Sequence, residues 1–239
     1  MKITSICQPH FFPWLGYFNM IHNCDEFIFL DNVQYNRKSW QNRVFIKNTS
    51  QSKKQWLSMS LIESSRKYNI NKVYLSKKAI EDFNNQINEN YKKSKYFEYY
   101  YELFEKVLSS NLDKNLAQLN IAIVKELCNH LEITCSFLLS SNFNFTDKKE
   151  NLILKLLKEN KSELYLANMG SLAYAGEEFF KKEKVLMKPH LFKHPIYNQL
   201  NMNNKKKVDF IEGLSIIDLL FNNGKKSSSI IKAPNNFTL

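Results

Sequence analysis

The chain has 239 residues, 44% of them hydrophobic, which suits one domain with a sizeable core and excludes a wholly disordered polymer. Thirty-four basic residues against 23 acidic ones give a formal net charge of +11 at pH 7. That balance fits a polyanionic partner (nucleic acid, a phosphorylated substrate or an anionic membrane face) and equally fits a chain whose surface residue is simply Lys. No apolar run approaches the roughly eighteen residues that span a bilayer.

In chain order, short apolar runs predict strands at Ile3–Cys7, Glu26–Leu30, Arg43–Ile46, Gln55–Ser60, Lys72–Leu75, Ile133–Leu139, Ser162–Leu166 and Val185–Met187. Helical periodicity is clearest from Asp113 to Leu131, where Leu116, Leu119, Ile123, Leu127 and Leu131 recur at spacings of three or four, with Asp113 as the expected cap. A second helix is expected from Lys148 to Glu159, capped by Asp147. Shorter helices are expected at Leu15–Asn23, Ala79–Lys92, Tyr96–Ser109, Glu177–Lys182 and Ile216–Phe221, and a loose tail at Lys232–Leu239. The alternation argues for a mainly parallel sheet flanked by helices, a Rossmann-like layout in a single α/β domain over 1–239 with a helical insert or lid at 79–131.

Met1-Lys2 leads directly into a strand with no secretory signal, so a cytoplasmic protein is expected. Cys7, Cys24, Cys128 and Cys135 form no CxxC pair, and with His130 they match no usual zinc spacing; reduced thiols and no metal are expected.

The most informative segment is Ile6-Cys7-Gln8-Pro9-His10-Phe11-Phe12-Pro13-Trp14-Leu15-Gly16-Tyr17-Phe18. It leaves a strand and enters a helix, the place where open α/β sheets hold ligands. Two prolines stiffen it and Gly16 permits close approach of the backbone. His10 is a candidate for ligand contact or proton transfer, and Gln8, Trp14 and Tyr17 for substrate binding. The competing reading is a packed aromatic corner with an exposed His. The layout also resembles that of nucleotidylyltransferases, but their His-x-Gly-His motif is replaced by Trp14-Leu15-Gly16-Tyr17, which argues against adenylyl transfer by that mechanism.

The second cluster follows the second strand: Asp31-Asn32-Val33-Gln34-Tyr35-Asn36-Arg37-Lys38-Ser39-Trp40-Gln41-Asn42-Arg43. Asp31 is a candidate base or hydroxyl-orienting group. Arg37, Lys38 and Arg43 are candidates for phosphate, and Tyr35 and Trp40 for stacking on a base or sugar; Gln34 and Asn42 complete the substrate-binding set. The alternative is a solvated loop pinned to the core by its aromatics.

The run Gln8-Pro9, Phe12-Pro13-Trp14-x-Gly16-Tyr17-Phe18, Asp31-x-Val33-Gln34-Tyr35 and Ser39-Trp40-x-Asn42-Arg43, with Tyr197-x-Gln199 and Leu214 to Gly224 near the C-terminus, resembles the WbqC-like family. The resemblance implies a cytosolic step on a nucleotide-activated sugar in the synthesis of O-antigen, lipopolysaccharide or other surface polysaccharide. It brings Tyr197 and Gln199 into the substrate-binding set. Ser215 and Asp218 have the spacing of a helix cap. Asn168-Met169-Gly170-Ser171 is expected as a third loop at the sheet edge, while His190 and His194, bracketed by Pro189 and Pro195, are not a metal pair.

Two functions remain open on these grounds. One is a transferase that moves an acyl or aminoacyl group onto the amine of a nucleotide-linked sugar, with His10 or Asp31 as base and Gln8, Asn42 or Arg43 on the carbonyl oxygen; its donor is a coenzyme A thioester, an acyl phosphate or an aminoacyl-tRNA. The other is a non-catalytic protein that binds a nucleotide sugar or tRNA. No membrane insertion is expected, and homo-oligomers are open.

Overall fold

A computed structural model describes residues 1–170, 176–201 and 210–233. The elements are β1 (Ile3–Cys7), α1 (Leu15–His22), β2 (Glu26–Phe29), β3 (Arg43–Asn48), β4 (Lys53–Ser58), α2 (Ala79–Tyr91), α3 (Phe97–Ser109), α4 (Leu116–His130), β5 (Ser136–Leu139), α5 (Lys149–Glu159), β6 (Leu164–Ala167), α6 (Glu177–Lys182), β7 (Leu186–Pro189), α7 (Ile216–Asn223) and α8 (Lys226–Lys232). Five strands form one sheet in the order β5-β2-β1-β6-β7, with every neighbouring pair parallel. From β1 the chain builds outward through β2 and β5, then returns to build β6 and β7 on the other side. The order therefore reverses between β1 and β6, which in an open parallel sheet opens a crevice beyond the strand ends.

Alternation along the strands divides the core. Cys7, Phe27, Phe29 and Leu166 join a large cluster with α1, α4 and α7, while Ile6, Ile28, Tyr165, Ala167 and Met187 join α5 and α6 in a second cluster. Phe83 and Ile87 of α2 and Phe104 of α3 are fully buried in the first cluster. Helices α2 to α4, the stretch expected as an insert or lid, thus share their core with α1 and α7.

The strands β3 and β4 pair antiparallel as a separate hairpin, with Phe45 opposite Trp56. The N-terminus of α7 ties this hairpin to the turn after β1. Ser215 N donates to Phe45 O at 2.7 Å, Ile216 N to Pro13 O at 2.9 Å, and Ser215 Oγ to Phe12 O at 2.6 Å.

Several expectations need correction. Lys72–Leu75 is not a strand: a 3₁₀ turn covers Ile70–Lys72 and only an isolated bridge joins Leu75 to Leu61. The α4 cap is Asn115, whose side chain accepts from Gln118 N at 3.0 Å; Asp113 lies outside the first turn. The α5 helix starts one residue later than expected, so Asp147 cannot reach its first amides and instead pairs with Lys155 at 2.7 Å. Residues 226–232 are helical where the sequence offered no clear periodicity. Ser171 and the expected tail beyond Ala233 lie outside the described residues. Among the described residues no helix is long and apolar enough to cross a membrane.

Candidate functional site

The turn after β1, the loop after β2 and the loop after β6 lie at the carboxyl ends of the central strands, around the crevice expected at the order reversal. The first two are bound to each other. Phe11 N donates to Trp40 O at 3.0 Å. Gln41, fully buried, donates through Nε2 to Gln8 Oε1 at 2.8 Å and accepts from Asn36 N at 3.0 Å. Asn120 of α4 places one amide on Pro9 O at 3.0 Å and Gln41 O at 2.7 Å. From the β6 loop, Asn168 Nδ2 donates to Ile6 O at 3.3 Å. Such amides replace ladder bonds that irregular backbone lacks, and they hold the loops in one geometry.

Phe12 occupies the left-handed region at φ 36°. A bulky residue tolerates this only where packing over-determines it. Its buried ring stacks on Phe83 at 5.6 Å and meets Phe104 at 4.8 Å. Gly16 has an equally local reason. A Cβ there would lie 2.3 Å from Trp14 Cη2, so the Trp14 indole occupies the space that Gly16 leaves open.

His10 lies in this turn, partly exposed, with its ring 5.1 Å from that of Tyr17. Burial lowers its pKa to about 4, so the imidazole is neutral at pH 7. No hydrogen bond engages its ring among the described residues. Asp31 is the opposite case. Its carboxylate accepts from Ser140 Oγ at 3.1 Å, Ser141 N at 2.9 Å and Ser141 Oγ at 2.6 Å. It is turned toward the end of β5 and clamps that loop to the end of β2.

The other expected residues divide in the same way. Gln8 is partly exposed, with its carbonyl accepting from Tyr17 OH at 2.9 Å. Tyr17 is buried, so it shapes the turn from beneath. Tyr35 is buried too, and its hydroxyl donates to Asn42 Oδ1 at 2.9 Å while Asn42 Nδ2 donates to Met59 O at 3.0 Å. Both Asn42 groups are thereby used within the protein. Gln34 is exposed and its amide reaches Lys67 O and Tyr68 O. Arg37 and Lys38 are exposed, and Trp40 is exposed beside Phe45 and Trp56. Arg43 stacks on Trp56 at 3.8 Å and donates to Lys38 O. Trp14 is partly exposed and meets Phe192 at 5.4 Å.

Tyr197 and Gln199 are not brought to the crevice surface. The Tyr197 hydroxyl donates to Asp218 Oδ2 at 2.9 Å inside the core, and Gln199 pairs through its amide with both backbone groups of Ile211. Asp218, expected as part of a cap, is fully buried and also accepts from Tyr91 OH at 2.9 Å; Ser215 alone caps α7 by accepting from Ile217 N. Burial raises the Asp218 carboxyl to about 6, against the pull of the Tyr197 and Tyr91 hydroxyls and the Lys47 ammonium.

Sequence reasoning missed Gln41 and Asn120, whose buried amides do the bridging; both sit in otherwise ordinary polar contexts. Groups of His, Cys, Asp and Glu fit to hold a metal are absent among the described residues. Cys24 and Cys135 are free thiols with sulfurs 3.7 Å apart, and His130 instead meets Tyr99 OH at 3.1 Å. A broad groove of about 540 Å³, lined by residues 193–196 with Ser229, Ile230 and Ala233, shares none of the crevice residues.

Fold and site together define a three-layer α/β protein whose parallel sheet reverses its order between β1 and β6, with the turn after β1 tied to the polar loop after β2. The chain belongs to the WbqC-like protein family, whose model matches residues 8–230. It is similar to an uncharacterized protein, Rv1507c, of Mycobacterium tuberculosis (strain ATCC 25618 / H37Rv), with 25% identity over 97% of this chain and 98% of that one. No solved structure matches it.

Proposed function

We propose that the protein is a transferase of bacterial surface-polysaccharide synthesis that binds a nucleotide-linked amino sugar in this crevice and moves an acyl or aminoacyl group onto its amine. The observation that carries the reading is His10: a neutral imidazole with no hydrogen-bond partner among the described residues, just after β1, beside a loop that presents cationic and aromatic side chains. A base must reach the amine proton in its unprotonated form, and His10 holds that form throughout the neutral range. An anionic ligand nearby raises its affinity for the proton, which brings it closer to the value that general-base catalysis favours. Asp31, whose carboxylate is engaged by Ser140 and Ser141, is assigned to positioning the β2 and β5 loops rather than to proton transfer. Gln8 has its side-chain oxygen held by Gln41, which turns its amide nitrogen into the free donor for a carbonyl oxygen.

The test is His10→Gln in a screen of UDP-, dTDP- and GDP-linked amino sugars with coenzyme A thioester, acyl phosphate and aminoacyl-tRNA donors. Loss of a positioned base lowers turnover by roughly 10²–10⁴-fold, with ligand affinity retained. Turnover unchanged in His10→Gln removes the base assignment. Ligand binding without any turnover replaces the transferase with a binding protein for a nucleotide sugar or tRNA, a reading favoured by the +11 charge and by the low pKa that makes His10 a weak base.

A further inference from the structure

The chain holds 31 lysines but only three arginines, Arg37, Arg43 and Arg66. Lysines are spread along the whole sequence; the arginines come to one place. The loop after β2 pairs antiparallel with the segment before α2. Gln34 bridges Asn69, Tyr35 N donates to Tyr68 O at 3.2 Å, and Ile70 N donates to Val33 O at 2.9 Å. Arg66 sits in the 3₁₀ turn Glu63–Lys67 that leads into this pairing, and Arg37 lies in the loop that follows Gln34 and Tyr35 out of it. Arg43 enters from the start of β3, fixed by its stack on Trp56 and its bond to Lys38 O. All three guanidinium groups act on the Tyr35 phenol, opposing the upward shift that its burial causes.

Counter-charge is scarce at this place. Among the described residues no carboxylate pairs with Arg37 or Arg43, and Glu63 stands 4.0 Å from Arg66 with its side chain 83% exposed. Arg43 Nε and Arg66 Nε are both shielded from solvent without an acceptor. Like charges gathered around one buried phenol repel one another, and an unused buried donor adds to the cost. Arginine rather than lysine at all three positions matches a planar, forked acceptor.

We propose that Arg37, Arg43 and Arg66 form one anion site that takes the diphosphate of the ligand bound in the crevice. The assignment rests on the nucleotide-sugar reading above for its ligand and names the group that holds the phosphates. Trp40, exposed beside the stacked Phe45 and Trp56 pair, borders the same site and offers a flat face to whatever the diphosphate carries.

Calorimetric titration with inorganic pyrophosphate and with uridine diphosphate tests this on the full chain, comparing wild type with Arg66→Ala, Arg66→Lys, Arg37→Ala and, as a control for net charge, Lys93→Ala. Each alanine variant at an arginine is expected to weaken both ligands at least tenfold. Arg66→Lys keeps the charge but loses the fork, and is expected to weaken them severalfold; Lys93→Ala is expected to leave them unchanged. Should Arg66→Ala fail to fold, Arg66→Lys and the exposed Arg37→Ala carry the comparison. The assignment is overturned if neither probe binds the wild type, or if the arginine variants behave like Lys93→Ala. Arginine-dependent pyrophosphate binding with no added affinity for any nucleotide sugar keeps the anion site and ends the nucleotide-sugar reading. Nucleotide sugars that bind wild type and Arg66→Ala equally do the reverse.

Discussion

Two polar regions of this protein carry family-like motifs, and they differ in what their side chains do. Around Asp218 every motif group is used inside the molecule: Tyr91 and Tyr197 donate to the two carboxylate oxygens, and Gln199 closes on Ile211. At the crevice, buried amides such as Gln41 and Asn120 hold the backbone, while the His10 ring, the Arg37 guanidinium and the amide nitrogen of Gln8 have no hydrogen-bond partner among the described residues. The contrast teaches that a motif's polarity alone does not mark a ligand site. What marks it is donor and acceptor capacity that the fold leaves unused.

Breaking the closed region should cost the most stability. Asp218→Ala strands two buried hydroxyls beside the buried Lys47, and is expected to lower unfolding free energy by about 2–5 kcal/mol, read from urea denaturation. Asp218→Asn keeps one acceptor and is expected to lose clearly less. Equal losses would show that packing, not hydrogen bonding, dominates there.

Gly16→Ala probes the junction between the regions. The new methyl collides with the Trp14 indole, and overpacking of this kind costs about 1–3 kcal/mol. Near-UV circular dichroism should register the displaced Trp. A variant with wild-type stability and spectrum would mean that the indole moves freely and does not shape the turn.

Gln41→Leu is expected to be milder for stability, about 1 kcal/mol, yet to weaken pyrophosphate and nucleotide binding, because it unties the β1 turn from the Arg-bearing loop. A loss of stability with unchanged ligand affinity would place Gln41 in the framework alone.

The smallest expected effect is in pH dependence, where the regions pull in opposite directions. His10 and His190 have folded-state pKa values lowered by burial to about 4, from 6.5. Their contribution is complete above pH 6.5 and is lost as pH falls toward 4. Asp218, raised to about 6 from 3.8, contributes in acid and loses that contribution as pH rises from about 4 through 6. Wild type is therefore expected to lose stability on acidification from pH 6.5 to 4.5, with the carboxyl blunting the loss. Asp218→Asn should steepen that decline and His10→Gln should flatten it, as measured by denaturation midpoints at pH 7, 5.5 and 4.5. The same slope in all three proteins would remove both assignments.

Much of this was legible from the chain itself. Strands β1, β2 and β6 and helices α1 to α3 and α5 to α7 fall within a few residues of their expected places, because apolar runs and periodicity are local signals. Lys72–Leu75 misled because a short apolar run bounded by polar residues reads as a strand whether or not a partner exists for it. The polar turn after β1 and the loop after β2 were both visible as unusual segments. Their joining was not, since the amides of Gln41 and Asn120 bridge residues 33 to 111 positions apart.

Local composition and periodicity thus determined the α/β class, the parallel sheet and the segments that reach its strand ends. Tertiary structure alone decided which motif side chains turn inward. Asp31 and Tyr197 stand out in sequence as His10 does, but Ser140 and Ser141 engage the one and Asp218 the other, and those partners come from distant elements. It also decided that three arginines scattered in sequence act on the one phenol of Tyr35, because the loop after β2 pairs with residues 68–70, a long-range contact that no local pattern encodes.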